Sequence, residues 1–199
     1  MSVLLRDALA LGGLLPLFVG LALVESVEAA GGAHLKLKWP NDAIAPDGRK
    51  AAGVLVERMG DGAALVGIGV NLAPPGGEAP PDVAARAASV AGDGGPPARD
   101  VLLRHLCARL GSLAAEARER GTGVLLERWR RRAPMLGQPV TVHAVGADAS
   151  LSGVARTVAP DGALVVRLSD GREEAVHAGE VTLSPAPGAV APADGEERS

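Results

Sequence analysis

Two hydrophobic rhythms divide this chain. Leu35 and Leu37 alternate with Lys36 and Lys38, a period-2 pattern that predicts a half-buried strand, and Pro40 stops it because proline cannot donate to a ladder. Asn41 and Asp42 therefore fall at a strand end. A turn through Pro46, Asp47 and Gly48 returns the chain into residues 51–57, where Val54, Leu55 and Val56 read as a buried strand. Lys50 enters that strand just ahead of the apolar run, so its ammonium is expected over the same end of the sheet as Asn41 and Asp42. Gly53 interrupts the run. A glycine weakens a strand interior, so it marks a place where a ligand or another backbone comes close.

Upstream, residues 2–6 (SVLLR) read as a strand, and residues 8–24 run for 17 residues without a charge. That length is at the lower limit for a bilayer span. Gly12, Gly13 and Pro16 interrupt the run, and Asp7 beside Arg6 spoils the basic region of a signal peptide. A loop through Gly12 and Gly13 and then a buried helix is expected, with Pro16 in its first turn and Gly31-Gly32 at its stop. Residues 63–70 read as a further strand, followed by a Pro/Gly-rich surface loop over 73–81. Leu102, Leu106, Leu110, Leu113 and Ala117 predict a helix over 99–120 with one core-facing stripe. A short helix around Trp129 follows. Its Arg128, Arg130, Arg131 and Arg132 read either as a partner patch or as a solvated face with cations near the helix C-terminus. Over 137–183 the rhythm changes again: five short strands separated by Asp161-Gly162 and Asp170-Gly171 turns suggest a small barrel. Residues 184–199 have no apolar period and are expected to form a disordered tail.

Composition narrows the function classes. At 199 residues and 47% hydrophobic, the chain can bury one core plus a small accessory domain, built from Ala, Gly, Val and Leu because aromatics make up only 2%. A formal net charge of −3 argues against a nucleic-acid footprint. The single cysteine, Cys107, excludes an intramolecular disulfide and reads as a small apolar helix residue; the histidines are scattered without metal-ligand spacing. These features fit a cytoplasmic enzyme with no membrane and no nucleic-acid partner.

Three motifs in order carry more. Lys38-Trp39-Pro40-Asn41-Asp42, then Arg49-Lys50-Ala51-Ala52-Gly53-Val54-Leu55-Val56-Glu57, then Gly67-Ile68-Gly69-Val70-Asn71-Leu72 resemble the catalytic core of biotin protein ligases. The resemblance runs from about Ser2, where SVLLR is similar to a core strand of the family, to about Leu183, where GEVTL is similar to the end of its small C-terminal domain. It implies an α+β fold: a mixed or antiparallel sheet with helices on one side, of the class II synthetase-like kind, over residues 1–134. A small SH3-like β-barrel over 135–184 and a tail over 185–199 would follow. It also implies a reaction. Family members make biotinyl-5′-AMP from biotin and ATP with Mg2+, then pass the biotinyl group to one lysine in the carrier domain of a biotin-dependent carboxylase.

Carried over by position, the resemblance gives Lys50 the task of neutralising charge between the biotin carboxylate and the α-phosphate. A fixed ammonium suits a point where two anions meet. Asn41 would hold phosphate or magnesium oxygens. Asp42 would orient or deprotonate the acceptor lysine, because an ammonium is not nucleophilic until it loses its proton. Lys38, Trp39 and Asn71 fall on the nucleotide side, Asn71 against the adenosine. Gly53, Leu55 and Gly67 would line the biotin slot, where small and aliphatic walls suit a largely apolar ligand. No metal ligand is assigned beyond Asn41. The family's glycine- and arginine-rich loop, of the type GRGRxGR, lies upstream of the SVLLR strand in its members, whereas Met1-Ser2-Val3-Leu4-Leu5-Arg6 opens this sequence. A truncated ligase of impaired activity is therefore expected, through a late-starting reading frame or as a degraded relative. The competing reading is a non-catalytic module that binds a carrier domain or another partner. A homodimer formed by sheet extension is a further expectation from the family, whereas the helix-turn-helix of its DNA-binding repressors has no room here.

Overall fold

The charge-free stretch becomes the centre of the core in the computed structural model, which describes residues 1–6, 8–59, 62–76, 79–144 and 150–183. The expected tail over 184–199 lies outside them. A 3₁₀ segment, Ala8–Leu14, bends at Gly12 (φ 50°) and leads into helix α1, Leu15–Ala29, with Pro16 in its first turn. Proline is tolerated there because its missing N–H is among those a helix start leaves unpaired. Gly31, at φ 81°, follows the helix end. Leu17, Val19, Leu21, Leu23 and Val24 are each no more than 1% exposed. By length and composition the segment is apolar enough to cross a membrane. Here it is buried by protein, with a sheet on one side and helices on the other.

The sheet has the order β1-β5-β4-β3-β2, and every ladder in it is antiparallel. Its strands are β1 (Ser2–Leu5), β2 (Lys36–Lys38), β3 (Asp42–Ile44), β4 (Lys50–Arg58) and β5 (Ala64–Val70). Alternation sends Leu37, Ala43, Val54, Val66 and Ile68 into the core with α1 and leaves Leu4, Leu55 and Leu65 exposed. Helix α1 thus covers one face. Pro81–Arg86 forms the short helix α2. Helices α3 (Arg99–Arg120) and α4 (Gly123–Arg131) pack on α1 through Leu102, Leu106, Leu113, Leu125, Leu126 and Trp129. Leu110 and Ala117 are only partly buried, so the apolar stripe on α3 is narrower than its spacing suggested. Cys107 stands exposed on the same helix, not packed as a small apolar residue.

The second sheet, in the order β10-β6-β7-β8-β9, comprises β6 (Pro139–Ala144), β7 (Leu151–Val158), β8 (Leu164–Arg167), β9 (Glu173–Val176) and β10 (Gly179–Leu183). All its ladders are antiparallel, and none joins β9 to β10 among the described residues. The two Asp-Gly turns form as expected. Gly162 and Gly171 sit at φ 92° and 87°, and the Asp161 and Asp170 carboxylates accept from the main-chain N–H two residues on, at 3.0 Å each.

The arginines of α4 and its C-terminal end turn inward rather than forming a partner patch. Arg128 pairs with Glu25 and Glu116, Arg132 with Glu28, and Arg130 with Glu127 and the Val158 carbonyl. Only Arg131 of the four lacks an ion pair among the described residues. The run is a seam that fixes the end of α4 to α1, α3 and β7. Hydrogen bonds from the Arg132 guanidinium, at 2.6 and 2.8 Å, hold the Glu28 carboxyl below its ordinary value of 4.5 against the opposing effect of burial. A carboxyl depressed in the folded state stabilises the protein above its unfolded value, and that contribution is lost as pH falls through the folded value. Glu28→Gln should therefore lower the free energy of urea unfolding by about 1–2 kcal/mol near neutral pH. The gap between variant and parent should begin to close as pH falls below 4.5 and vanish only below the depressed folded value. A gap that persists unchanged in acid would place the effect elsewhere than in the ion pair.

Candidate active site

A slip in strand pairing puts Lys50 where it is. β3 and β4 pair Asp42 with Gly53 and Ala43 with Ala52, but Ile44 then opposes Lys50, leaving Ala51 as the extra residue of a bulge. In an unbroken strand Lys50 would share the buried face of Ala52. The bulge instead buries Ala51, at 0% exposure, and turns Lys50 out to the open face, on the side of Gly53. Lys50 Nζ comes to 2.6 Å from Asp42 Oδ1. Its stem crosses directly over Gly53: a Cβ built there would lie 2.9 Å from Lys50 Cε, 3.0 Å from Nζ and 3.3 Å from Asp42 Oδ1. The close approach that Gly53 signals is thus made by the chain's own lysine. With the lysine side chain 53% exposed, such a pair contributes about 0–1 kcal/mol to stability. Its consequence is placement.

Two asparagines flank the pair, each with its amide nitrogen already engaged. Asn41 Nδ2 donates to the Val54 carbonyl at 2.7 Å. Asn71 Nδ2 donates to Ala88 O at 3.0 Å and Lys50 O at 3.3 Å, tying residues 87–90 to the start of β4. Lys38, opposite Asp42 in the β2–β3 ladder, lines the same end of the cleft.

Trp39 does not face the cleft. It is 2% exposed, and its Nε1–H donates to the Gly162 carbonyl of the second sheet at 2.9 Å. Gly162 in turn lies against Gly13, whose carbonyl carbon would be 2.5 Å from a Cβ at Gly162. The one polar atom of the indole is thus spent inside the protein, on the second sheet.

The open face carries a cleft of about 1260 Å³. Gly53, Gly67 and Gly69 floor it, with Gly53 opposite Gly69 and Leu55 opposite Gly67 in the β4–β5 ladder. Leu55 stands out from this floor at 61% exposure. The polar end holds Lys38, Asn41, Asp42, Lys50 and Asn71, so every residue singled out in the sequence except Trp39 lines one cleft. Glu180 of β10 also lines it and escaped the sequence reading, since nothing in its local pattern connects it to a strand more than a hundred residues upstream. A cation and a carboxylate at one end of an apolar, glycine-floored cleft define a site for a ligand that is partly apolar and partly anionic.

Relatives give that description a family. Residues 135–184 match the family described as Biotin protein ligase C terminal domain. A biotin--[acetyl-CoA-carboxylase] ligase of Paracoccus denitrificans is 34% identical over 162 residues, covering 77% of this chain and 66% of that protein. The bifunctional ligase/repressor BirA of Salmonella typhimurium is 30% identical over 174 residues, covering 85% of this chain and 52% of that protein. A biotin protein ligase of Aquifex aeolicus, solved in complex with biotin and ATP, shares the fold with a TM-score of 0.73 at 24% identity, over 93% of this chain and 77% of its own. This chain belongs to the biotin protein ligase family. It spans between half and two thirds of the length of the two curated relatives.

The anchorage of Trp39 can be tested apart from any activity. Trp39→Phe keeps most of the apolar volume but leaves the Gly162 carbonyl unpaired, which should cost about 1–3 kcal/mol in urea unfolding. Gly162→Ala, with its Cβ driven into Gly13, should cost at least as much. Loss of less than half a kcal/mol in both would mean that the two sheets are not held through this contact.

Proposed function

We propose that this chain carries the catalytic site of a cytoplasmic biotin protein ligase, joining biotin to the AMP moiety of ATP with release of pyrophosphate and passing the biotinyl group to a lysine of a carboxylase carrier domain. One observation carries the reading: an ammonium turned by a bulge onto a carboxylate, above a glycine floor with an exposed leucine, in a chain similar over most of its length to such ligases. In the first step the biotin carboxylate attacks the α-phosphate, and two anions must meet. An ammonium about 4 Å away is worth about 4 kcal/mol at an effective dielectric of ~20, and Lys50, on a flexible stem that is 53% exposed, can swing there. Gly67 and Leu55 offer apolar walls to the ring system of biotin, while Gly53 admits the lysine stem.

The hydrogen bonds of the asparagines narrow their roles. Asn41 spends one amide N–H on the Val54 carbonyl and keeps the other N–H for a phosphate oxygen and Oδ1 for a magnesium ion or its bound water. Among the described residues no group of three or more Asp, Glu, His or Cys converges, so magnesium would arrive with the nucleotide. Asn71 likewise presents Oδ1, an acceptor matched to an amino or hydroxyl group of adenosine. Asp42 would take the proton of the acceptor ammonium in the second step.

Lys50→Ala should slow biotin-dependent ATP–pyrophosphate exchange ~100-fold or more, the scale of losing one preorganised electrostatic group. Exchange within a few-fold of the parent would refute the assignment. Asp42→Asn should instead impair transfer from presynthesised biotinyl-5′-AMP, by a factor that shrinks as pH rises and more of the acceptor amine is neutral. An equal defect at every pH would assign Asp42 to holding the nucleotide or the turn.

A further inference from the structure

Asp42 Oδ1 is buried and accepts no hydrogen bond; its one partner among the described residues is Lys50 Nζ, at 2.6 Å. The two partners differ in freedom. Asp42 sits in the β-ladder with its side chain 18% exposed, whereas Lys50 carries its charge on a flexible four-carbon stem that is 53% exposed. On the two-step reading above, Lys50 is needed at the phosphate and Asp42 at the acceptor amine. A buried carboxylate oxygen left without a partner is costly. Once Lys50 turns to an anionic ligand, that oxygen needs another cation.

We infer that Asp42 and Gly53 form a single seat for a primary ammonium, filled by Lys50 until an anionic ligand draws it away and then by the ammonium of the acceptor lysine. The inference rests on the ligase reading for the identity of the second occupant, while the seat itself rests on geometry. Space for it exists because Gly53 has no side chain: a Cβ would stand 3.0 Å from the ammonium and 3.3 Å from the carboxylate oxygen. Lys50 in the resting site thus occupies the place of the substrate's own ammonium, and the order of the half-reactions follows. The acceptor amine gains its counter-ion only after the acyl-adenylate has attracted Lys50. It then gives one proton to Asp42, and its lone pair forms a C–N bond to the acyl carbon as the C–O bond to the phosphate breaks. AMP leaves with that bonding pair, and the second N–H proton passes to the leaving phosphate or to water.

Thermal unfolding of the 199-residue protein with ethylammonium chloride, against tetramethylammonium chloride at the same ionic strength, tests the seat without any turnover. Lys50→Ala vacates it, so ethylammonium at about 100 mM should raise the melting temperature of that variant by roughly 2–4 °C over tetramethylammonium. The unaltered protein should show no difference. Adding Gly53→Ala or Asp42→Asn to Lys50→Ala should abolish the selectivity; Lys50→Ser serves if the alanine variant does not fold. Equal stabilisation by both cations, or the same selectivity in the unaltered protein, overturns the seat. Pyrophosphate exchange separates this outcome from the ligase reading: selectivity without exchange retains the seat and removes its second occupant, whereas exchange without selectivity removes the seat alone.

Discussion

The hydrogen bond from the Trp39 indole to the Gly162 carbonyl is the contact through which the two sheets act on one site. Asn41 and Asp42 are separated from Trp39 by Pro40 alone, so the position of that buried ring sets the position of the polar end of the cleft. Gly13, at the entry to α1, closes the same junction from the other side, because only two residues without side chains can bring their backbones this close. The second sheet therefore belongs to the site even though it supplies few groups to it. Arg130 on the Val158 carbonyl and Leu37 N–H on the Arg132 carbonyl brace the same junction through α4.

Within that frame the chemistry depends on a local irregularity. A regular β4 would point Lys50 into the helices, where an ammonium without a partner is unaffordable. The Ala51 bulge exchanges a buried methyl for a buried charge at that position, and the missing side chain of Gly53 lets the lysine stem lie flat across the strand. An ion pair worth so little to stability has another use. Its geometry keeps an ammonium at the mouth of an apolar cleft and a carboxylate beneath it.

Much of this was legible in the sequence. Period-2 alternation located β2, apolar segments between turn residues marked β1, β4 and β5, and the convergence of Lys50 with Asn41 and Asp42 followed from strand ends and turn residues. The bulge was not, because alternation is read over several residues and one inserted residue hardly alters it. Its only trace is the adjacent pair Ala51 and Ala52, both small and both buried. β3 and α2, at three and six residues, are too short for periodicity to reveal. The arginines of α4 were misleading for a different reason. Their carboxylate partners Glu25 and Glu28 lie about a hundred residues away in sequence, so a run that reads locally as a basic patch is neutralised by contacts that only the fold creates.

A crystal structure of the protein with a non-hydrolysable biotinyl-adenylate analogue tests the central claim most directly, because it shows where the mobile charge goes. Lys50 Nζ should leave Asp42 and lie about 2.8–3.0 Å from a phosphate oxygen of the analogue, with the biotin ring system over Gly67 beside Leu55. An analogue bound on the glycine floor while Lys50 remains on Asp42, or bound away from that floor altogether, would contradict it.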